Sequence, residues 1–199
     1  MATDTRDTWE LDILGIPFGD YAHRDADGEY FDADTELHAD KFGLPPLVHY
    51  HGYGDDKKHL PEPEYVGRTI RRWVDKAGVW FRAVLNQDSI RAAALWVAAR
   101  RGTVRASSGS VAHLVRTAPD GHIKEWPVAE LSIFDMATGK NPANRLAVVR
   151  PGAKAASVRI GLPRGAEASP VTPRAVMAAD KYLVAQARQK AIEVLLRED

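Results

Sequence analysis

Apolar and polar residues alternate along much of this chain, which is the pattern of half-buried β-strands. Strands are predicted over residues 9–18, 45–51, 65–85, 103–116 and 123–135. The segment 65–85 is expected to fold into two strands around Asp75-Lys76-Ala77-Gly78, while Pro17 ends the first strand and Pro127 interrupts the last. Residues 19–34, rich in Asp and Gly, are predicted to form a loop. The predicted core therefore consists mainly of strands.

Residues 88–102 follow a helical pattern and are predicted to form a helix between two of the strands. Alanines fill the middle of this segment, Asp88 can cap its N-terminus and Gly102 can end it. Its apolar face is predicted to contain Ile90, Ala94 and Trp96 or Val97. A helix placed among several strands indicates an α+β fold class.

The composition changes near residue 150, and this divides the chain into three predicted parts. Residues 1–149 form the folded domain. Residues 150–173 are rich in Pro, Gly and Ala and are predicted to be a linker. Residues 174–199 have an apolar stripe at helical spacing, which predicts an amphipathic C-terminal helix. Because the linker separates this helix from the core, we expect the stripe to dock on a scaffolding partner or to form a coiled-coil arm.

Charge and composition exclude several functions. The chain has 27 Lys+Arg and 27 Asp+Glu, so no bulk charge attracts nucleic acid or an anionic membrane. Since there is no cysteine, disulfides, thiolate metal sites and cysteine nucleophiles are excluded. The N-terminus does not have the pattern of a signal peptide, and no apolar run approaches the length that crosses a bilayer. We expect a soluble intracellular protein that associates readily with copies of itself.

The segment RASSGSV, residues 105–111, is the first candidate for chemistry. Gly109 allows a substrate to approach the backbone closely and places an N–H beside a serine, which acyl transfer needs to stabilise an oxyanion. The alternative is a polar loop or strand edge without a chemical role. The position directly after a predicted buried helix is evidence against a flexible linker.

His49 and His51 are the second candidate, because residues two apart in a strand point to the same side. Such a pair can be half of a metal site, a catalytic base with a neighbour, or two ordinary strand histidines. A metal-dependent hydrolase would need further ligands, and the sequence has no cysteine, no H-E-x-x-H motif and no close acidic spacing. Neither a metal nor a cofactor is therefore expected.

Glu130 is the third candidate, because it interrupts the apolar strand segment WPVAELSIF. A carboxylate in an apolar strand is unfavourable unless it has a partner. A histidine is a natural partner, since the carboxylate fixes the imidazole tautomer and stabilises the imidazolium formed during catalysis. The alternative is an edge-strand glutamate that faces water.

In chain order these segments resemble the prohead proteases of tailed phages, which mature the capsid. The matching stretches are GIPFG with RDADGEYFDADTEL, PLVHYHG (46–52), YVGRT (65–69), DKAGVWFRAVL (75–85), DSIRAAALWVAARRGTVRASSGSV (88–111) and AELSIFDMATGKNPANRLA (129–147). The resemblance covers about residues 10–148. It implies the fold shared with herpesvirus assemblin-type proteases, a partly open, mostly antiparallel β-barrel flanked by helices.

The resemblance also implies a catalytic Ser-His-acid set. The family's histidine falls on His51, its Ser-x-Gly serine on Ser107 and its acidic residue on Glu130, and Gly109 is the expected oxyanion donor. Because Ser108 stands where the family usually has an apolar residue, Ser108 and Ser110 remain alternative nucleophiles. The related viral enzymes use a second histidine as the third member, so the alternatives to Glu130 are His113 and His122.

The function implied is that of a serine endopeptidase without a cofactor, acting inside the procapsid in the host cytoplasm. Its expected partners are the scaffolding and major capsid proteins and other copies of itself, and its expected substrates are scaffolding segments and its own linker. The alternative function is a catalytically inactive structural or scaffolding module of the same fold in capsid assembly.

Overall fold

The computed structural model describes residues 8–54, 58 and 60–152, which form an α+β domain built mostly of strands. Its two α-helices are α1 (Ala39–Phe42) and α2 (Ile90–Arg100). Its strands are β1 (Glu10–Pro17), β2 (Pro46–His49), β3 (Tyr65–Asp75), β4 (Gly78–Leu85), β5 (Val104–Ser110), β6 (Arg116–Thr117), β7 (Ile123–Glu125), β8 (Val128–Asp135) and β9 (Val149–Pro151). Short 3₁₀ turns occur at Tyr50–Gly52, Ala112–Leu114 and Met136–Thr138. The predicted α+β class is confirmed.

Seven strands form one sheet in the order β5-β8-β2-β3-β4-β1-β9, and β6 pairs with β7 in a separate small sheet. All pairs in the large sheet are antiparallel except β2 with β8. The residues just before β9 contact β5, the strand at the opposite edge of the sheet. Val148 forms a bridge with Arg105, and the Ala106 N–H donates to the Ala147 carbonyl at 3.3 Å. The sheet is therefore nearly closed, like a barrel.

The core lies inside this curved sheet, where alternate residues of the strands meet. Its fully buried side chains include Phe81 of β4, Ile13 of β1 and Ile133 of β8. Each large apolar side chain of this kind contributes about 1.5–3 kcal/mol to the free energy of folding. Helix α2 packs onto the same core, and its Trp96 stacks on Trp9 with ring centroids 6.0 Å apart. This packing fixes β5, which begins four residues after α2 ends.

The predicted details of α2 are wrong in two respects. Its N-cap is Ser89, whose hydroxyl accepts a hydrogen bond from the Ala92 N–H at 3.1 Å, whereas Asp88 lies in the preceding turn. Ile90 is 61% exposed and Ala94 is exposed too, so they do not belong to the buried face. The buried residues are Ala92, Ala93, Leu95, Trp96, Val97, Ala98 and Ala99. A helix this rich in alanine has no sharp apolar stripe, and packing against the sheet selects the face.

The strand predicted over residues 103–116 is too long. A register shift between Gly109 and Ser110 ends the regular pairing of β5 with β8, and the chain then enters the Ala112–Leu114 turn. The other predicted strands are found, including the hairpin of β3 and β4 and the interruption at Pro127.

The described part of the predicted linker is ordered into the sheet. Residues up to Pro151 pair with β1, and the Gly152 N–H donates to the Glu10 carbonyl at 2.7 Å. The remainder of the linker and the predicted helix at 174–199 lie outside the described residues. Among the described residues, no helix is both long enough and apolar enough to cross a membrane.

Candidate active site

His51 lies in a left-handed turn directly after β2. Three consecutive residues have positive φ: Tyr50 (42°), His51 (54°) and Gly52 (74°). This conformation is unfavourable for residues with a Cβ, by about 1–3 kcal/mol each, and persists only where surrounding contacts impose it. The predicted strand therefore ends at His49, and the expectation that His49 and His51 point to the same side of one strand is wrong.

Contacts with β8 impose this turn. The buried Ser132 hydroxyl accepts a hydrogen bond from the His51 backbone N–H at 2.8 Å. The Tyr50 ring packs edge-on against Phe134 with centroids 5.4 Å apart, and the Lys140 ammonium lies 4.9 Å from the Tyr50 centroid. Because β2 and β8 are parallel neighbours, the turn that follows β2 is held beside the middle of β8.

The His51 ring contacts Glu130, as the sequence predicted for a histidine and its carboxylate. The Nδ1 atom of His51 lies 2.5 Å from Oε1 of Glu130, and the two side chains are 31% and 21% exposed. A carboxylate on Nδ1 holds the proton on that nitrogen and leaves Nε2 as the one that can accept a proton. Oε2 of Glu130 is buried and has no hydrogen-bond partner within the described part of the chain, so the carboxylate interacts chiefly with His51.

Gly109 lies directly under the Glu130 side chain. The two residues are opposite each other in the β5–β8 pairing, and a Cβ at position 109 would overlap with Oε1 of Glu130. A glycine is thus needed at position 109, because only a residue without a Cβ leaves room for the Glu130 carboxylate to extend over β5 to His51. Whether the Gly109 N–H also serves an oxyanion stays a prediction.

If the chain is the protease that the sequence resemblance implies, Gly109→Ala is expected to lower its activity by about 100-fold or more, because the displaced carboxylate would no longer fix the His51 tautomer. The unfolding free energy should change by only about 1 kcal/mol, since the glutamate side chain can swing outward. The control is Gly102→Ala, where φ is +76° but no atom lies within 4 Å of the added Cβ. That control should lose a similar amount of stability in urea unfolding and keep its activity. Full activity in Gly109→Ala would contradict this role.

The three serines of β5 differ in their hydrogen bonds. The Ser108 hydroxyl accepts from Trp126 Nε1 at 3.1 Å, and the Ser110 hydroxyl donates to the Pro127 carbonyl at 2.7 Å. Ser107 is opposite Ser132 in the β5–β8 pairing, two residues from Gly109, so it projects from the same sheet face as Glu130. Within the described chain no hydrogen bond joins Ser107 to His51. Of the three serines, Ser107 is the one whose hydroxyl has no hydrogen bond to another described residue.

Neither alternative third member has a hydrogen bond or ion pair with His51 among the described residues. His113 is exposed in the turn after β5. His122 is buried elsewhere: its Nε2 lies 2.9 Å from Asp32, its Nδ1 lies 2.6 Å from the Lys124 ammonium, and its ring stacks on Tyr30. Burial and the neighbouring Asp120 carboxylate raise the pKa of Tyr30. These contacts attach the loop after β1 to the β6–β7 hairpin.

His51 and Ser107 line one cavity of about 270 Å³. Its walls come from the loop after β1, from β5 and β8, and from the loop before β9. Ser108 also contributes to the lining, whereas Gly109, Ser110 and Glu130 do not. The two loops are joined where the Ala26 N–H donates to the Ala143 carbonyl at 3.1 Å, and this hydrogen bond holds two sides of the cavity together.

Sequence reasoning did not place Ser132, Tyr50 or either loop of this cavity in the site, although residues 19–34 were predicted to form a loop. The spacing of Glu130 and Ser132, two residues apart on one strand, was a usable signal that both face the same side. Nothing local to Asp25 or Asn144 indicates that their loops meet. In the described ranges, no group of three or more His, Cys, Asp or Glu side chains is arranged to hold a metal ion.

Comparison with known proteins adds no relative. No family model matches this chain, and no curated protein matches its sequence at a significant level. What can be said of its function therefore rests on the residues and their geometry.

Proposed function

We propose that this chain is a serine endopeptidase of the phage prohead protease type, which cleaves scaffolding segments, and its own chain, during capsid maturation. The observation that carries the proposal is the contact of His51 Nδ1 with Glu130 Oε1, in a histidine that shares a cavity with Ser107. A base oriented by a carboxylate and placed beside a serine is the arrangement that acyl-transfer enzymes of several folds have in common.

In the proposed mechanism, His51 Nε2 takes the proton of the Ser107 hydroxyl as Oγ attacks the scissile carbonyl carbon. The carbonyl oxygen becomes an oxyanion, stabilised by a backbone N–H of the Gly109 segment. His51 then gives the proton to the leaving amine as the C–N bond breaks. Water, activated by the same histidine, hydrolyses the ester and restores Ser107. Glu130 holds the His51 ring in place throughout.

The assemblin-like barrel is part of this proposal. It is supported by the nearly closed sheet and by the pairing of β5, which carries the serine, with β8, which carries the acidic residue. The proposed partners are scaffolding and major capsid proteins, together with other copies of this chain.

One observation favours the second candidate function, an inactive structural module. No hydrogen bond connects His51 and Ser107 among the described residues, and in an inactive protein none would be needed. In free enzymes, however, such hydrogen bonds are often long and tighten only when substrate binds. The two functions are therefore distinguished by reactivity.

The test is covalent labelling with a fluorophosphonate, which reacts with serines that have an oriented base. The wild-type chain is expected to gain one adduct at Ser107, mapped by peptide mass spectrometry, and Ser107→Ala none. Ser110→Ala is the matched control, because its hydroxyl is bonded to Pro127, and it should label like the wild type. A wild-type chain that is folded by circular dichroism but never labelled would favour the structural module.

A further inference from the structure

The lining of the cavity that contains His51 and Ser107 is negatively charged. Three carboxylate residues line it, Asp25, Asp27 and Glu29, while no Lys or Arg belongs to its lining. Nor does any of the three form an ion pair with a Lys or Arg in the described part of the chain. The whole chain is neutral by formal charge, so this negative lining is a local feature and not a reflection of composition.

Several of the other residues that line the cavity are aromatic. Phe31, Trp126 and Phe134 line it, and Trp126 packs edge-on against Phe31 with centroids 5.4 Å apart. Apolar walls next to carboxylates suit a side chain with a long hydrocarbon stem and a cationic end. A volume of about 270 Å³ has room for one such side chain.

We propose that this cavity binds a lysine or arginine side chain of the polypeptide substrate, next to the bond that is cleaved. The inference names the substrate class of the proposed protease and rests on that proposal for the cleavage step. Carboxylates partly buried in a cavity, as Asp25 and Glu29 are, attract a cation more strongly than carboxylates in open water do, because the local dielectric is lower; Asp27 is exposed and adds its charge from the solvent side. An acidic substrate side chain at the same position would be repelled.

The three carboxylates do not contribute equally. Oδ1 of Asp25 accepts from the backbone N–H groups of Asp27 and Glu29, at 2.9 and 3.0 Å, and so holds the turn in place. The Glu29 carboxylate accepts from the Thr117 hydroxyl at 3.2 Å, which orients it. Asp27 and Glu29 are therefore the residues to neutralise, and Asp25 is the one to leave unchanged.

A binding experiment tests the cation site without relying on catalysis. The full-length Ser107→Ala variant is titrated with Nα-acetyl-arginine amide and with Nα-acetyl-citrulline amide, which has the same shape and no charge. We expect the arginine amide to bind about tenfold more tightly or better. Adding Asp27→Asn and Glu29→Gln should remove most of that difference, whereas the exposed Asp88→Asn should leave it intact. Equal binding of the two amides, or binding of neither, would overturn the inference.

A cleavage experiment separates this inference from the proposed function. The wild-type chain is incubated with a mixed peptide library, and the cleaved bonds are identified by mass spectrometry. We expect Lys or Arg to be enriched beside the cleaved bond, and the enrichment to fall in the Asp27→Asn/Glu29→Gln variant. Cleavage without this preference overturns the inference about the cavity and supports the proposed protease function. Selective binding of the arginine amide with no cleavage of any peptide supports the cation site and contradicts the protease.

Discussion

In the proposed protease, replacing Ser107 with alanine is expected to lower the rate of peptide-bond hydrolysis by about 10⁴-fold or more. The reason is chemical, because without Oγ no acyl-enzyme can form and the base at His51 has no proton to take. The fold should be preserved, since the Ser107 hydroxyl has no hydrogen bond to lose within the described residues. Cleavage of the peptide library and the intact mass of the incubated chain measure the effect.

The neighbouring serines supply the controls for this experiment. Ser108→Ala removes the bond from Trp126 and Ser110→Ala removes the bond to the Pro127 carbonyl, so each should change the unfolding free energy by about 1 kcal/mol. Both variants should keep a rate within about tenfold of the wild type. If Ser108→Ala or Ser110→Ala abolished hydrolysis while Ser107→Ala did not, the nucleophile would have to be reassigned.

Replacing His51 with alanine is expected to be as damaging as losing the nucleophile, by about 10⁴-fold or more, because the two groups act as a unit. Glu130→Gln should lower the rate by less, about 10²- to 10⁴-fold, since the imidazole is still present but is no longer held in one tautomer. The variant with both changes should be no slower than His51→Ala alone. Steady-state rates of the three proteins, measured under the same conditions, test this non-additivity.

A second histidine–glutamate pair provides a matched control. Nε2 of His38 lies 3.1 Å from Oε2 of Glu125, and neither residue lines the cavity. His38→Ala should therefore leave the rate unchanged. His51→Ala should also lower the unfolding free energy, by about 1–3 kcal/mol, because the partly buried Glu130 carboxylate loses its hydrogen-bond partner. If the rate losses of His51→Ala and Glu130→Gln multiplied in the variant that carries both changes, His51 and Glu130 would act independently, which would contradict the prediction.

Strands were the most predictable part of the fold, for a physical reason. The alternation in β3 fits a strand with one face on the core, whereas β1 is buried along its whole length, and Pro17 and Pro127 mark places where pairing cannot continue. Helix α2 was predictable as a helix but not in its orientation. Its alanines can be either buried or exposed. Packing against the sheet, which a local sequence pattern does not contain, therefore decided which side of the helix is buried.

The residue types of the candidate site could be predicted from the sequence, but their arrangement in space could not. Glu130 was identified as an isolated carboxylate in an apolar strand, and a histidine was named as its partner. The left-handed turn at His51 could not be anticipated, because it depends on Ser132, about 80 residues later, accepting one backbone N–H. The cavity depends on two distant loops and has no local sequence signature at all.

Strand β9 determines where a tail could be removed from this protein. Because Val149–Pro151 pairs with β1, and Gly152 is bonded to Glu10, the last described residues hold the first strand in place. A cut before Val149 would release a wall strand of the sheet and open the side of the domain next to the cavity loop. A cut after Gly152 would leave every hydrogen bond described above intact. If the proposed self-cleavage falls after Gly152, it removes nearly a quarter of the chain and leaves β9 paired with β1.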